Sequence, residues 1–550
     1  MNIPGKNLSL RITFFAAMLL AAGPPALLAG PPIPQIVRTG SRYQLLVDGK
    51  PFLILGGQAH NSSATNPEDL DPVWQSLVAL HANTAEVPIY WEIIEPKPGQ
   101  FDFHLIDVIL QGARQHHLRL ILLWFGTWKW VENTGMAYTP AWIKEDPAKY
   151  QRALDATGQP LFNISPFSNA AEEADAQAFA AVMQHIKSVD SSQRTVIMMQ
   201  VENESGLEGT DRDHSPASNQ AYNSPVPGRL MNYLEDHRSR LMPALAAAWA
   251  GQGYPTTGTW PQAFGGAAPE AFSAWYVARY IDAVAAAGEK VYPLPMYCNA
   301  WPISPGQVRA GDWPSGIPTP HVLDVWKAAA PHIAVLAPDI YSANFQQIAA
   351  QYTRANNPLL IVETSFAPSH APFAFSALAQ FNGIGFSPFG IDQAAENGKL
   401  NPRAKALADS YEVLEPLLPL IEKYQYTGKL FSVVQGADQA ETFTLIPALA
   451  AVANFAPALR FGPPPRSATS PAPAGGIIIE LAPDDYVVAG YGFRLTFRDL
   501  QGPQREPEFL SIEQGTFQGD QWTPERRLNG DEMHVNLMAG ARILRVRLVK

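Results

Sequence analysis

Two short strings carry the residues best suited to chemistry: Met199-Gln200-Val201-Glu202-Asn203-Glu204 and Leu360-Ile361-Val362-Glu363. Each is an apolar run that ends abruptly in a carboxylate, as when a buried parallel strand delivers an acid to the open end of a barrel. Two carboxyl groups from different strands can divide the work at a glycosidic bond. One protonates the leaving oxygen and the other attacks the anomeric carbon. Glu204 and Glu363 are the candidate catalytic pair, about 160 residues apart in sequence. If the strand continued past Val201, Glu202 and Glu204 would point to the same face. Glu204, nearer the strand end, is the better placed for substrate, with Asn203 beside it as a donor to a sugar hydroxyl. Glu202 is expected to stand behind it or to touch substrate.

Positioning such a pair requires a barrel, and the chain carries the repeat for one. Strand-like apolar runs fall at 52–57, 84–89, 118–125, 196–201, 291–297, 333–340, 359–362 and 384–389. Helix-compatible segments separate most of them, among them 72–81, 104–116, 171–189 and 270–287. Alternating strands and helices predict an α/β fold, a (β/α)8 TIM barrel of about 350 residues. In that barrel Glu204 ends strand four and Glu363 ends strand seven. Long segments at about 129–170 and 205–265 interrupt the repeat after strands three and four, where loops shape a substrate site.

A helix beginning at Asn401-Pro402 and running to about Tyr424 closes the barrel. Beyond it, strand-like runs at 429–434, 476–481, 486–488, 493–497 and 543–549 predict a β-sandwich-like domain with no catalytic cluster. The expected organisation is therefore a leader at 1–29, a barrel domain at 30–424 and a C-terminal β-domain at 425–550. At 550 residues, more than one domain is expected.

Composition narrows the class. With 47% hydrophobic and 16% charged residues the chain is that of a folded protein. A net charge of −11 with no dense basic run argues against nucleic acid as a partner. Thirteen Trp and 18 Tyr suit a partner with apolar C–H faces, such as an oligosaccharide, as well as a large core. One cysteine, Cys298, forms no intrachain disulfide and has no motif context for a nucleophile. His116-His117 lacks the i, i+4 spacing of a helical zinc site, and no Walker loop or strand-linked GxGxxG is present. No metal and no organic cofactor are expected. Lys6 and Arg11 precede the apolar stretch 12–22, with a small residue for cleavage near Ala29. That layout predicts a signal peptide and no stable membrane insertion after its removal. Export without disulfides suits a bacterial periplasm or secretion.

The motifs together resemble those of the glycoside hydrolase family 35 β-galactosidases, in the clan of retaining (β/α)8 glycosidases. The stretch 200–206 is similar to the family's acid/base motif. Segments 56–63, 87–92 with Glu95-Pro96, 122–129 and 385–392 resemble a bacterial branch that also carries a C-terminal β-domain. The resemblance covers roughly residues 40–425. It implies that Glu204 is the acid/base and Glu363 the nucleophile of an exo-acting, retaining β-galactosidase. The implied substrate is a galactosyl side chain on a plant cell-wall (xyloglucan-type) oligosaccharide. Tyr341, after strand six, is placed to hydrogen-bond the nucleophile. Trp124, Trp128 and Tyr90 are candidate sugar platforms, and His60 and Asn299 are further candidate contacts after strands one and five.

Two departures stand out. Typical members place a Cys-Ala-Glu triplet after strand three, whose Glu binds galactose hydroxyls; here, as in the bacterial branch, the stretch reads Phe125-Gly126-Thr127-Trp128. Thr364-Ser365-Phe366 follows the nucleophile where Tyr or Trp is more usual. The rival readings are a β-glycosidase of the same clan acting on another sugar, and a non-catalytic carbohydrate-binding barrel.

Overall fold

Eight of the apolar runs become the parallel strands of a barrel in the computed structural model. The model describes Met1 and residues 31–131, 135–136, 138–435, 440–445, 449–455, 473–500 and 506–549. The expected leader at 1–29 lies outside the described residues, apart from Met1, as does nearly all of the Pro/Ser/Ala segment around 462–473.

The barrel strands are β1 (Ile54–Gln58), β2 (Thr84–Tyr90), β3 (Arg119–Phe125), β4 (Val196–Val201), β5 (Met296–Ala300), β6 (Val335–Ile340), β7 (Leu360–Ile361, resuming at Glu363–Thr364) and β8 (Gly385–Phe386). Every neighbouring pair is parallel, in the order β7-β8-β1-β2-β3-β4-β5-β6-β7. The sheet closes because β7 is split at Val362. Leu360-Ile361 pairs with β8, and Glu363-Thr364 pairs with β6. These strands are buried on both faces, which is why they read as continuous apolar runs rather than alternating ones.

The outer ring contains α1 (Asp71–Ala79), α2 (His104–Gln115), α3 (Asn169–Asp190), α4 (Ala268–Val291), α5 (Leu323–Ala329), α6 (Phe345–Tyr352), a short helical stretch at 373–380, and α7 (Lys405–Leu414). Tyr411 of α7 ties the closure together. Its hydroxyl donates to the carbonyls of Gly56 in β1 and Phe386 in β8, at 2.9 and 2.8 Å. Among the described residues, no helix is long and apolar enough to cross a membrane.

One strand expectation is corrected. The run at 291–297 begins inside a helix, because α4 continues to Val291, and β5 starts only at Met296. The turn between them sits at Tyr292–Pro295, where two prolines end the helix. The insertion after β4 is more helical than its Gly/Pro content suggested. It carries four helices, Pro216–Tyr222, Gly228–Asp236, Pro243–Gly251 and Trp260–Phe264, three of them with proline in the first turn.

After the barrel the chain forms two antiparallel sheets packed face to face. One has six strands and the other four. Their facing residues, including Val433, Ile478, Val488, Phe497 and Leu544, make a core of their own. The other face of the six-stranded sheet, through Ile477, Ile479, Val487 and Tyr491, packs into the barrel's core. Five strands of these sheets escaped sequence reading: Ala440–Leu445, Leu449–Asn454, Phe509–Gln518, Gln521–Arg527 and the short Val535–Asn536. Leu449–Asn454 is alanine-rich and has low strand propensity. Gln521–Arg527 is a largely exposed edge strand with Pro524 and three charged residues, which is how an edge is protected from further pairing.

Candidate active site

Strand β4 stops at Val201, and the next three residues turn sharply. Glu202 and Glu204 both have positive φ, 63° and 44°. Two non-glycine residues held in the left-handed region so close together mark a backbone fixed by its surroundings. The consequence corrects a sequence expectation. The strand does not continue, so the two glutamates diverge rather than share a face.

Glu202 turns back behind β3. Its Oε1 accepts the Thr127 amide at 3.1 Å and its Oε2 accepts the Trp128 amide at 2.9 Å. It also meets the carboxyl of Asp175 on α3, which accepts from Trp124 Nε1 at 2.8 Å and Thr127 Oγ1 at 2.7 Å. Burial, then the adjacent Asp175, pushes the Glu202 carboxyl well above its usual range. Glu202 is therefore no substrate contact. It clamps the segment that follows β3.

Glu204 points to the barrel mouth. Its amide donates to Asn299 Oδ1 at 2.9 Å, and its carboxylate pairs with the ammonium of Lys129. Asn299, at the end of β5, is a hub. Its Nδ2 donates to Asn203 Oδ1 and to Asp339 Oδ2, both at 3.0 Å. Asn203 is buried, and its Oδ1 also accepts from Gln200 at 3.0 Å. Among the described contacts, Asn203 and Asn299 serve the framework of the acid.

Glu363 faces it from β7. Tyr341 donates its hydroxyl to Glu363 Oε1 at 2.7 Å, the contact expected from the sequence, and Gln58 at the end of β1 donates to Oε2 at 3.3 Å. Burial foremost, then the nearby Glu204, pushes the Glu363 carboxyl up to about 7, against the opposing pull of Tyr341, Lys129 and Gln58. Asp339, directly opposite Glu363 in the β6–β7 register, completes the cluster. Glu204, Asp339 and Glu363 each present an oxygen within 4.8 Å of the others. Such a triad of oxygens could ligate a hard cation, but the charge supplied here is the Lys129 ammonium. Carboxyl groups this close suit a double displacement, one attacking the anomeric carbon and the other protonating the leaving oxygen, better than the wider gap of an inverting pair.

The aromatic expectations are corrected. Trp124, Trp128 and Tyr90 are 0%, 1% and 2% exposed and offer no face to a sugar. Trp124 is bonded to Asp175, and the Tyr90 oxygen accepts the Ala64 amide at 3.3 Å. Both lie in strands covered on both faces, where an aromatic side chain is core. Trp128 packs edge-on against Tyr280. His60 is bound to Asp392 through Nδ1 at 2.8 Å, on the loop after β1. Exposed aromatics at this end include Tyr341 itself, 47% exposed, and Trp301, 46% exposed and two residues past Asn299.

Sequence reading missed four groups: Lys129, Asp339, Gln58 and Asp175. Asp339 had a signal, since Asp339 and Tyr341 are two apart at a strand end and so share a side. The others become visible only through contacts across the barrel. A cavity of about 940 Å³ lies among the loops at the same end, lined by Asp211, His214, Glu270, Trp313 and His321 among others. Neither Glu204 nor Glu363 lines it.

Residues 44–264 match the family model described as Glycosyl hydrolases family 35, so the resemblance carried by the motifs is shown over that span. The span includes Glu204 and leaves Glu363 to the geometry. Residues 407–540 match a second model, described as a domain of unknown function (DUF5597). A β-galactosidase of Xanthomonas manihotis is 32% identical over 138 residues, which is 22% of this chain and 23% of that protein. The chain thus matches about a quarter of that curated relative's length. Among solved structures, the catalytic domain of the β-amylase from Paenibacillus polymyxa is similar with a TM-score of 0.46 and 13% identity, over 66% of this chain and 97% of that one. The β-galactosidase from Bacillus circulans sp. alkalophilus is similar with a TM-score of 0.45 and 14% identity, over 66% of this chain and 56% of that one.

Proposed function

We propose that this chain is an exported, exo-acting β-galactosidase that retains anomeric configuration. The observation that carries the reading is the opposed pair Glu204 and Glu363, whose carboxylate oxygens approach within 4.8 Å at the ends of β4 and β7. Glu363 attacks the anomeric carbon while Glu204 gives a proton to the leaving oxygen. Water, deprotonated by Glu204, then releases the sugar from Glu363. Tyr341 holds the attacking carboxylate, and Asn299 holds the backbone of the acid. The terminal galactosyl residue of a plant cell-wall oligosaccharide is the substrate favoured by the motif resemblance. The leader-like N-terminus supports export to a bacterial periplasm or beyond.

The test is turnover of aryl β-galactosides by Glu363→Gln and Glu204→Gln. Both variants should lose at least about a thousandfold in kcat on a substrate with a poor leaving group. Azide should rescue Glu204→Gln on an activated substrate and yield a β-galactosyl azide. Near-normal turnover by either variant, or an α product, would overturn the reading. A panel of aryl glucosides, mannosides and galactosides decides the sugar, and binding without hydrolysis would leave a carbohydrate-binding barrel.

A further inference from the structure

We propose that Lys129 is a specificity-determining residue that donates a hydrogen bond to a hydroxyl of the sugar bound between Glu204 and Glu363. The inference rests on the galactosidase reading of that pair.

Lys129 follows β3 and is held in place by its predecessors. The amides of Thr127 and Trp128 are both bound by the Glu202 carboxyl, at 3.1 and 2.9 Å, and the Trp128 ring is packed against Tyr280. Gly126 leaves this segment no slack, since a Cβ there would lie 2.5 Å from Glu202 Oε1 and 2.6 Å from Trp124 Nε1. The lysine stem is thereby aimed at the carboxyl cluster rather than at solvent, and its side chain is only 16% exposed.

An ammonium has three N–H donors. One goes to Glu204, and no other acceptor among the described residues takes the remaining two. Burial works against this charge, but Glu204 and then Glu363 outweigh it, so Lys129 stays an ammonium with its pKa above the usual value. A mostly buried cation with unspent donors is costly unless something satisfies them. Unspent donors beside the Glu204 carboxylate match the lone pairs of a hydroxyl group. Lys129 only donates, so it reads one hydroxyl through its lone pairs. A fluorine in that position remains a weak acceptor, whereas a hydrogen does not.

The experiment compares wild type, Lys129→Met and Lys129→Arg on 4-nitrophenyl β-galactopyranoside and its 2-, 3-, 4- and 6-deoxy and deoxyfluoro derivatives. Inductive effects of each substituent are common to all three proteins and cancel in the ratios. At one ring position, removing the hydroxyl should cost wild type about ten- to a hundredfold in kcat/KM, and Lys129→Met should lose almost nothing further there. The wild-type to Lys129→Met ratio of kcat/KM should therefore fall when that hydroxyl is removed and partly recover with fluorine in its place. Lys129→Arg, which keeps its donors, should retain the wild-type pattern. Identical deoxy penalties in wild type and Lys129→Met at all four positions would overturn the proposal. A Lys129→Met protein with wild-type melting keeps that comparison independent of folding. If Glu363→Gln turns over like wild type, the galactosidase reading itself fails. If it is inactive while the deoxy penalties stay unchanged, only the role of Lys129 fails.

Discussion

The hydroxyl of Tyr341 donates to Glu363 Oε1 at 2.7 Å, and this bond favours the ionised form that must attack carbon. Tyr341→Phe should therefore do two things. It should lower kcat/KM by about ten- to a hundredfold, because the carboxylate loses its orienting partner. It should also move the acidic limb of the pH–rate profile upward, since a carboxylate that loses a donor binds its proton more tightly. A variant that lost activity with an unmoved limb would assign Tyr341 to substrate binding alone.

The same carboxylate sets the wild-type profile. Burial and the neighbouring Glu204 push Glu363 up to about 7. Glu363 attacks only as the anion, so kcat/KM in the free enzyme should fall about tenfold per pH unit below about 7. Initial rates on an aryl galactoside at low substrate concentration, between about pH 4 and 9, measure this limb. A plateau persisting well below about pH 5.5 would show that the carboxylate is better solvated than its burial implies.

How far the sequence reached follows from what each residue depends on. Glu204 and Glu363 were legible because an apolar run ending in an acid is local information, and a parallel barrel strand is the structure that produces it. The β6 contact of Tyr341 was legible for the same reason. Glu202 was misplaced because the left-handed turn after Val201 is fixed by partners on β3, α3 and β5, which a local pattern does not contain. Trp124 and Tyr90 are not platforms, because strands buried on both faces present no outer side. Lys129 is the clearest case of what local reading misses. Its position depends on a carboxyl 73 residues away, Glu202, gripping the two amides before it.

The barrel interior also makes a prediction about stability. Glu86, on β2, is fully buried, with Tyr297 donating to its Oε2 at 3.3 Å. Burial foremost pushes its carboxyl from 4.5 up to about 8. A carboxyl raised in the folded state binds its proton more tightly there than in the unfolded chain. The resulting stability is full below the unfolded value and is lost as pH rises through the folded one. The wild-type melting temperature should therefore fall between about pH 5 and 8.5. Glu86→Gln, which has no charge to bury, should gain about 2–4 kcal/mol relative to wild type at pH 8.5 and little at pH 5. Thermal melts of both proteins at the two pH values check it. Equal pH dependence in the two would mean that water reaches Glu86.

Gly126 tests whether the clamp behind β3 is as tight as its contacts imply. A Cβ at this position would sit 2.5 Å from Glu202 Oε1, 2.6 Å from Trp124 Nε1 and 3.1 Å from Asp175 Oδ1. None of these neighbours is free to retreat. Glu202 holds two backbone amides, and Asp175 holds the Trp124 indole and the Thr127 hydroxyl. Gly126→Ala should cost about 1–3 kcal/mol in stability through overpacking. Its effect on turnover should be larger than that loss suggests, because any shift of the 126–129 segment also moves Lys129 relative to Glu204. Denaturant melts and kcat/KM on the same preparation separate the two effects. If Gly126→Ala melted and turned over like wild type, the Glu202–Asp175 pair would have to yield easily, and the rigid placement of Lys129 would lose its support.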